Sequence, residues 1–466
     1  MFNGFPSTQT PTVQWWDYSK TNTGTINIAL PNDCAPVQFF ATGGSTTTIQ
    51  ITLPPNPAQG KTITFKNERY VANTQSIQIN DPFPQALQAP CILGQGGSVT
   101  FCYIAQNTLT GTGSANWVII FGGSGIAPLN YYAASLSGYQ NNATGPYAVI
   151  AGGYQNTSSG TSSFVGSGST NTASGNYSLV AGGQSNISSA TGSFVGGGLT
   201  GTASGNYSFV GAGQSGVASG VNSFVGAGSG CRATGIRSVS VGGQNNLANG
   251  DNNSIVGGKD NSTNASYTHQ FIGGGSTNIS SGGGYSVTGG GEGNTNNSNF
   301  GFISGGAYGT TRGIKGNHVF PACVAPIDVV AGVSQSALLV LGTQTTTATA
   351  TALTTDGGAA STNNQVILPN NSAYVFQGTC IANVTGGSTT SGWEFQGVIK
   401  RGANAASTTL VAAVTPTVIA QDALAATWVL AITADTTNGG IRVTVTGVAA
   451  TTIRWVSRIE TTEVTY

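Results

Sequence analysis

The residues able to do acid–base chemistry are few in this 466-residue sequence. Cleavage of a glycosidic bond needs two carboxylates held at a set separation. The carboxylates considered for that role are Asp251, Asp260, Glu292, Glu394, Asp422 and Asp435. They fall on separate segments, and Lys259 beside Asp260 indicates a surface ion pair. Glu394 stands between Trp393 and Phe395, so in a strand its side chain faces away from both.

Nucleophile, metal and phosphate chemistry have equally little support. The two histidines, His269 and His318, lie outside the last 141 residues and near no cluster of Cys or carboxylate residues. No two of the six cysteines form a CxxC pair. The GGG and GAG runs recur at a fixed period with no helix after them, unlike a phosphate-binding loop. We therefore predict no catalytic residues, no metal site, no cofactor and no enzymatic activity.

Aromatic and planar cationic side chains suggest binding instead. Sugar recognition uses aromatic platforms with a few planar polar groups, and the last third of the chain offers both. The candidate receptor-binding residues are Trp393, Trp428, Trp455, Arg442, Arg454 and Arg458. The alternative for the tryptophans is burial in the core of a domain, which we expect for at least one of the three.

The N-terminus carries a second aromatic cluster. Trp15, Trp16 and Tyr18 follow a polar leader that contains proline. Large aromatic side chains dominate the energetics of interfaces, so these three are candidates for attachment to a partner protein. The alternative, which the sequence leaves open, is that they cover the base of the next domain.

The elements that must position these residues are organised around a repeat in 147–306. Eleven times there, an apolar pair is followed by two or three small residues. The anchor residues are Ile150, Val165, Val180, Val195, Val210, Val225, Val241, Val256, Ile272, Thr288 and Ile303. Their spacing of 15 or 16 residues indicates a solenoid of short coils.

Each coil is predicted from its residue types. The β-branched and aromatic pair forms a short strand, and the small residues after it allow a bend. A column of Asn, five or six residues past most anchors, predicts a corner, because Asn tolerates a left-handed backbone. A Gly column predicts the second corner. We expect Phe164, Phe194, Phe209 and Phe224 to form one buried column with the anchors.

One coil supplies only two or three sizeable apolar side chains, too few for a stable isolated rod. Three copies around a common axis would bury what one copy leaves exposed, so we predict a homotrimeric shaft. The alternative, a flexible Gly/Ser linker, is disfavoured by the regular anchors.

The repeat S-F-V-G-G-G-x-x-N-x-A-S-G is similar to the head repeats of trimeric autotransporter adhesins and to the shafts of phage fibres. That resemblance covers about a third of the chain, from Tyr131 to roughly Lys315. It implies a left-handed parallel β-roll with three chains per molecule.

The flanking segments complete the predicted organisation. Residues 1–20 are a virion attachment segment, 21–124 an N-terminal β domain and 125–146 a linker or cap. The roll of 147–306 is followed by a neck at 307–325 and a C-terminal β-sandwich tip, jelly-roll-like, at 326–466. The N-terminal strands resemble a module at the base of phage tail fibres, and G-W-E-F-Q-G-V-I-K-R-G resembles the tip domains of such fibres. The fold class predicted is all-β.

Composition limits the partners. Charged residues are only 6 % of the chain and the net charge is zero, which argues against a nucleic-acid partner. We find no secretory signal and no membrane-spanning run, so we expect a virion protein assembled in the host cytoplasm.

The predicted function is that of a phage tail fibre. Its N-terminus would bind other tail or capsid proteins, and its tip would bind a glycan or protein of the host surface. Three alternatives stay open: a structural decoration fibre, a polysaccharide-depolymerising tailspike and a bacterial trimeric adhesin.

Overall fold

The chain is nearly all β-structure, a β-solenoid of about 12 turns with further sheets at the C-terminus. The computed structural model describes residues 13–18, 24–30, 37–42, 47–53, 62–67, 76–80, 91–93, 98–104, 116–122, 126–127 and 133–466. The chain divides into two compact units, Met1–Tyr207 and Ser208–Tyr466.

The first unit begins with ten strands in two five-stranded sheets. They are β1 (Val13–Tyr18), β2 (Gly24–Ala29), β3 (Val37–Thr42), β4 (Thr47–Thr52), β5 (Thr62–Asn67), β6 (Ser76–Asn80), β7 (Cys91–Leu93), β8 (Ser98–Ile104), β9 (Asn116–Gly122) and β10 (Ile126–Ala127). One sheet has the order β1-β3-β5-β8-β9 and the other β10-β7-β6-β4-β2. The early strands alternate between the two sheets and pair in parallel, and later pairs are antiparallel.

The predicted attachment residues lie in a strand rather than in an irregular segment. Trp15, Trp16 and Tyr18 belong to β1, which pairs in parallel with β3. Residues 1–12 and 19–20 of the predicted segment lie outside the described residues. Attachment through these aromatic residues stays a prediction.

The first unit continues as coils of two very short strands each. These strands are β11 (Ala134–Ser135), β12 (Asn142–Ala143), β13 (Val149–Ile150), β14 (Thr157–Ser158), β15 (Phe164–Val165), β16 (Thr172–Ala173), β17 (Leu179–Val180), β18 (Ile187–Ser188), β19 (Phe194–Val195) and β20 (Thr202–Ala203). Each strand pairs in parallel with the strand two places later, at an offset of 15 residues. The first coil begins at Ala134, inside the segment predicted as a linker.

The Asn column is a buried hydrogen-bond ladder rather than the left-handed corner that we expected. The left-handed residue is the one before each Asn, as at Thr170 with φ of 56°. The Asn171 side chain points inward instead. Its amide nitrogen donates to the carbonyl oxygens of Ser167 and Gly183, and its Oδ1 accepts from the next Asn, Asn186, at 3.0 Å. Each coil is thereby fixed to the next by a side chain that satisfies otherwise buried backbone groups.

In the coils that follow the predicted spacing, the buried column consists of the anchors and not of the phenylalanines, so the expectation of buried phenylalanines was wrong. Val165 has no exposed surface, whereas Phe164 is 37 % exposed. A two-residue strand explains the difference, because consecutive side chains of a strand point to opposite faces. The phenylalanine therefore lies on the outer face of the coil.

The second unit begins with coils of the same kind. Their strands are β21 (Phe209–Val210), β22 (Val217–Ala218), β23 (Phe224–Val225), β24 (Arg232–Ala233), β25 (Val239–Ser240), β26 (Leu247–Ala248), β27 (Ser254–Ile255), β28 (Ser262–Thr263), β29 (Phe271–Ile272), β30 (Ile279–Ser280), β31 (Val287–Thr288), β32 (Thr295–Asn296), β33 (Phe302–Ile303) and β34 (His318–Pro321). The last parallel pair joins β33 to β34, so this coil pattern enters the predicted neck.

Two anchors of this unit are one residue away from their predicted places. Ser240 and Ile255 are buried, and the predicted anchors Val241 and Val256 are exposed. The step from Ile255 to Ile272 is 17 residues, and the two extra residues are accommodated by buried amides. The backbone N–H of Gln270 donates to Asn253 Oδ1 at 2.8 Å, and Gln270 Nε2 donates to the carbonyl of Gly283.

The C-terminal part of the second unit is a two-sheet sandwich. Its strands are β35 (Ser334–Thr345), β36 (Thr351–Ala352), β37 (Val366–Ile367), β38 (Ser372–Val384), β39 (Thr390–Arg401), β40 (Thr409–Leu410), β41 (Thr417–Gln421), β42 (Val429–Asp435), β43 (Gly440–Thr446) and β44 (Ile453–Thr465), with short 3₁₀ helices at Ala405–Ser407 and Ala423–Ala425. The large sheet pairs β35, β44, β38 and β39 in that order, with β40 and β41 at its edge. The small sheet holds β36, β37, β42 and β43. Side chains from both sheets form one buried core.

Candidate glycan-binding groove

The three predicted tryptophans lie in the core of the sandwich. Trp393, Trp428 and Trp455 are 3 %, 6 % and 1 % exposed. The Trp455 ring centroid is 5.7 Å from each of the other two, and its Nε1 donates to Thr345 Oγ1 at 2.9 Å. The indoles are thus placed to hold the two sheets together, and they present no platform on the surface of the domain.

The three predicted arginines are exposed but lie apart. Arg442 is on β43 of the small sheet, whereas Arg454 and Arg458 are on the outer face of β44 in the large sheet. Four residues separate the latter two along an extended strand, which is about 13 Å. Of the six predicted residues, only Trp393 and Arg458 line a common groove, and receptor binding by the arginines stays a prediction.

Arg458 lines an open groove of about 420 Å³ on the outer face of the large sheet. The register explains its composition. Thr379 of β38 pairs with Arg458 on one side and with Glu394 on the other, and Gln377 pairs in the same way with Glu460 and Gln396. Two adjacent rows of polar side chains therefore cross three strands on one face.

Some polar side chains of this groove have hydrogen-bond or ion-pair partners within the protein, and others have none. Gln377 Nε2 donates to Glu460 Oε2 at 2.9 Å, and the Arg458 guanidinium forms an ion pair with the same carboxylate. Within residues 133–466, the side chains of Glu394 and Gln396 have no hydrogen-bond or ion-pair partner. The groove thus offers a free carboxylate and a free amide, with two negative charges against one positive charge. Such a site suits neutral hydroxyl-rich ligands better than acidic ones.

A second, apolar groove of about 480 Å³ adjoins the first and shares Thr379 and Arg458 with it. Exposed aliphatic side chains of Ile381, Val456 and Ile419 form its walls. The thiol of Cys380 lies beneath it, and burial raises the pKa of this thiol to about 12. The thiol is therefore protonated at neutral pH and is not a nucleophile.

Sequence reasoning missed this pair of grooves. It examined Glu394 as a possible acid and found its outward orientation, but it had no means of placing Glu460 or the two glutamines beside it. The available signal was the alternation in β38, β39 and β44, which places Gln377, Thr379, Glu394, Gln396, Arg458 and Glu460 on the outward face. Only the pairing register shows which of these residues are neighbours.

The neck residues form a separate, structural cluster. The Arg312 guanidinium lies 3.1 Å from Glu463 Oε2, and both side chains are nearly buried. The Lys315 ammonium lies 2.7 Å from Asp356, and hydrogen bonding to it lowers the pKa of Asp356 to about 2. Both contacts fasten the segment after the last coil to the sandwich.

The part of the chain that the structure describes shows neither a metal-binding cluster nor a membrane-spanning helix. There, no three side chains of His, Cys, Asp or Glu converge on a point where an ion would bind. In the same residues, no helix has the length and apolar character needed to span a bilayer.

Comparisons with known proteins give phage tailspikes as similar structures. The chain matches no family model, and no curated protein matches its sequence. One similar structure is tailspike protein gp49 of Acinetobacter baumannii bacteriophage Fri1, a capsular polysaccharide depolymerase, at 11 % identity over 91 % of this chain and 79 % of that chain, with a TM-score of 0.19. Another is the tailspike of Acinetobacter phage vB_ApiP_P1, at 9 % identity over 95 % and 82 % of the two chains, with a TM-score of 0.20.

The comparison corrects the expectation that this chain is not an enzyme. The Fri1 protein, one of the two similar structures, is described as a capsular polysaccharide depolymerase, which is an enzyme. At these TM-scores we transfer no residue role and no substrate from either tailspike.

Proposed function

We propose that this chain is a virion fibre of a phage, and that its C-terminal sandwich binds a polysaccharide of the host surface in the polar groove. The observation that carries the proposal is the free carboxylate of Glu394 and the free amide of Gln396 beside the Arg458–Glu460 pair. Carboxylates and amides form the directional hydrogen bonds that sugar hydroxyls require. The long β-solenoid before this domain suits a shaft.

The proposal also includes assembly of three copies into a homotrimer, which attaches to other virion proteins through its N-terminus. The homotrimer is supported by apolar rings on the outer face of the coils, such as Phe164, Phe224 and Phe271, each more than a third exposed. A second and third copy would cover them. Three tips would also add avidity to weak individual sites.

Groove binding is tested with the purified full chain on an array of bacterial surface polysaccharides. We expect the double variant Glu394→Ala/Gln396→Ala to bind at least about tenfold more weakly, because each lost hydrogen bond contributes about 1 kcal/mol or more. The control is Thr462→Ala, on the same face of β44 but outside the groove. Equal binding by the double variant and the wild type would refute the groove as the site.

Hydrolysis of the bound polysaccharide is a second candidate function, favoured by the two carboxylates of the groove. Glu394 and Glu460 lie on strands two places apart and two residues out of register, so their backbone positions are about 12 Å apart on the sheet. Side chains that lean toward each other across the groove would bring the two carboxyl groups to the separation of about 6.5–9.5 Å that an inverting mechanism needs between acid and base. In that arrangement Glu460 takes a proton from water, whose oxygen attacks the anomeric carbon. The glycosidic bond breaks as Glu394 protonates the leaving oxygen.

For hydrolysis, the measurement is release of reducing ends from each polysaccharide that the wild type binds. We expect Glu394→Gln to lower the rate at least about 100-fold, because general acid catalysis contributes on that scale, while binding falls much less. Binding without release of reducing ends by the wild type would exclude hydrolysis and leave the binding proposal intact.

A further inference from the structure

The apolar groove has a notch over Gly392 that no side chain fills. Gly392 lies in the twelve-residue strand β39, and the register places it in one row with Val456, Ile381 and Ala420 across the outer face. A Cβ added to Gly392 would meet only the carbonyl oxygen of Cys380, at 3.9 Å. The space above this residue is therefore open and bounded by aliphatic side chains.

The backbone at this point also departs from a regular strand. The pairing of β39 with β41 shifts between Gly392 and Trp393, which marks a bulge or irregularity in the ladder. A glycine inside a strand weakens it, and it often marks a place where another group approaches the backbone closely. Bulges are also enriched beside active sites, because they redirect neighbouring side chains.

The surroundings of the notch define the group that fits it. Its walls are Ile381, Val456 and Ile419, and the hydroxyl-bearing residues Thr379 and Thr390 border it. The notch is continuous with the polar groove through Thr379 and Arg458. An occupant must therefore present a small apolar end beside polar atoms, while its remainder forms hydrogen bonds in the polar groove.

We infer that the notch receives the acetyl group of a neutral 2-acetamido sugar whose ring hydroxyls occupy the polar groove. The inference rests on the proposed glycan-binding function and adds the class of sugar to it. The methyl group lies among the aliphatic side chains, and the amide lies at the border formed by the threonines. The excess of carboxylates in the adjoining groove disfavours acidic sugars, because like charges repel.

The test uses an array of neutral oligosaccharides in pairs that differ only in acetamido or hydroxyl at C2, including tri-N-acetylchitotriose and cellotriose. The full-length wild type is expected to bind acetamido members about tenfold more tightly than their partners, which is the scale for filling a small apolar pocket. Gly392→Leu fills the notch and is expected to abolish this preference. Glu394→Ala/Gln396→Ala is expected to weaken binding to both members of a pair equally.

The matched control is Thr462→Leu, which adds the same side chain to the same face, about 20 Å along the strands from the notch. It should keep the preference, and thermal melting shows that each variant folds. Equal affinity of the wild type for both members, or an unchanged preference in Gly392→Leu, would overturn the acetyl subsite and leave glycan binding standing. A change in sedimentation mass of Gly392→Leu with unchanged preference would assign the notch to contacts between copies instead. Binding to no member of the array would overturn the groove and the subsite together.

Discussion

Replacing Val165 with Asp is expected to open the coils around it, at a cost of about 4 kcal/mol or more, because a carboxyl group would enter a column without polar partners. Val165 has no exposed surface, and the carbonyl of this residue accepts a hydrogen bond from Ala151 at 2.9 Å. Coils contact only their neighbours, so the damage should be local. Hydrogen exchange of peptides that cover 149–166 measures it directly.

The adjacent Phe164 provides the matched control for that experiment. Its ring is 37 % exposed on the outer face of the same two-residue strand, so Phe164→Asp should cost only about 1–2 kcal/mol of lost burial. Equal loss of exchange protection in the two variants would show that the two side chains share one environment. That result would contradict the alternation described for the coils.

Replacing Arg312 with Ala is expected to destabilise the sandwich by about 3–5 kcal/mol, because it leaves the buried carboxylate of Glu463 without its cation. The exposed fractions of the two side chains are only 10 % and 4 %. The guanidinium also donates to the carbonyl oxygen of Gly332 at 2.7 Å, and Gln335 Nε2 donates to Glu463 at 2.9 Å. Thermal melting of the full chain should show an earlier transition for this domain.

Two further variants distinguish the contribution of the buried Arg312–Glu463 ion pair to stability from the effect of removing any arginine. Arg458→Ala removes an exposed pair, 55 % and 35 % exposed, and should cost at most about 1 kcal/mol. Arg312→Met/Glu463→Met removes both buried charges and should recover most of the lost stability, because a buried methionine side chain needs no counter-charge. Destabilisation of the double variant as large as that of Arg312→Ala would contradict this account.

The candidate site was only partly accessible to sequence reasoning. The outward orientation of Glu394 followed from strand alternation, and the structure bears it out. The tryptophans had been weighed as exposed platforms or core residues, and all three are core. Residue type does not decide between these outcomes, because a large aromatic side chain stabilises a core and an interface by the same burial of apolar surface.

The sequence by itself determined the all-β class, the solenoid and its repeat of about 15 residues, and the sandwich that follows. These features depend on local periodicity, which a sequence displays directly: one apolar anchor per coil, and alternation in long strands. The position of the anchors in regular coils, such as Val165, Val180 and Val195, followed in the same way.

Tertiary structure alone decided that the phenylalanines lie on the outer face of the coils, where the anchor spacing shifts, and which residues meet in the groove. Val241 and Ser240 are adjacent, and residue type favours burial of the valine, so only the stacking of coils selects the serine as the buried one. Glu394 and Glu460 are 66 positions apart in sequence, and they lie on one face because both their strands pair with β38. Pairing between distant strands depends on the packing of the whole core, and no local pattern encodes it.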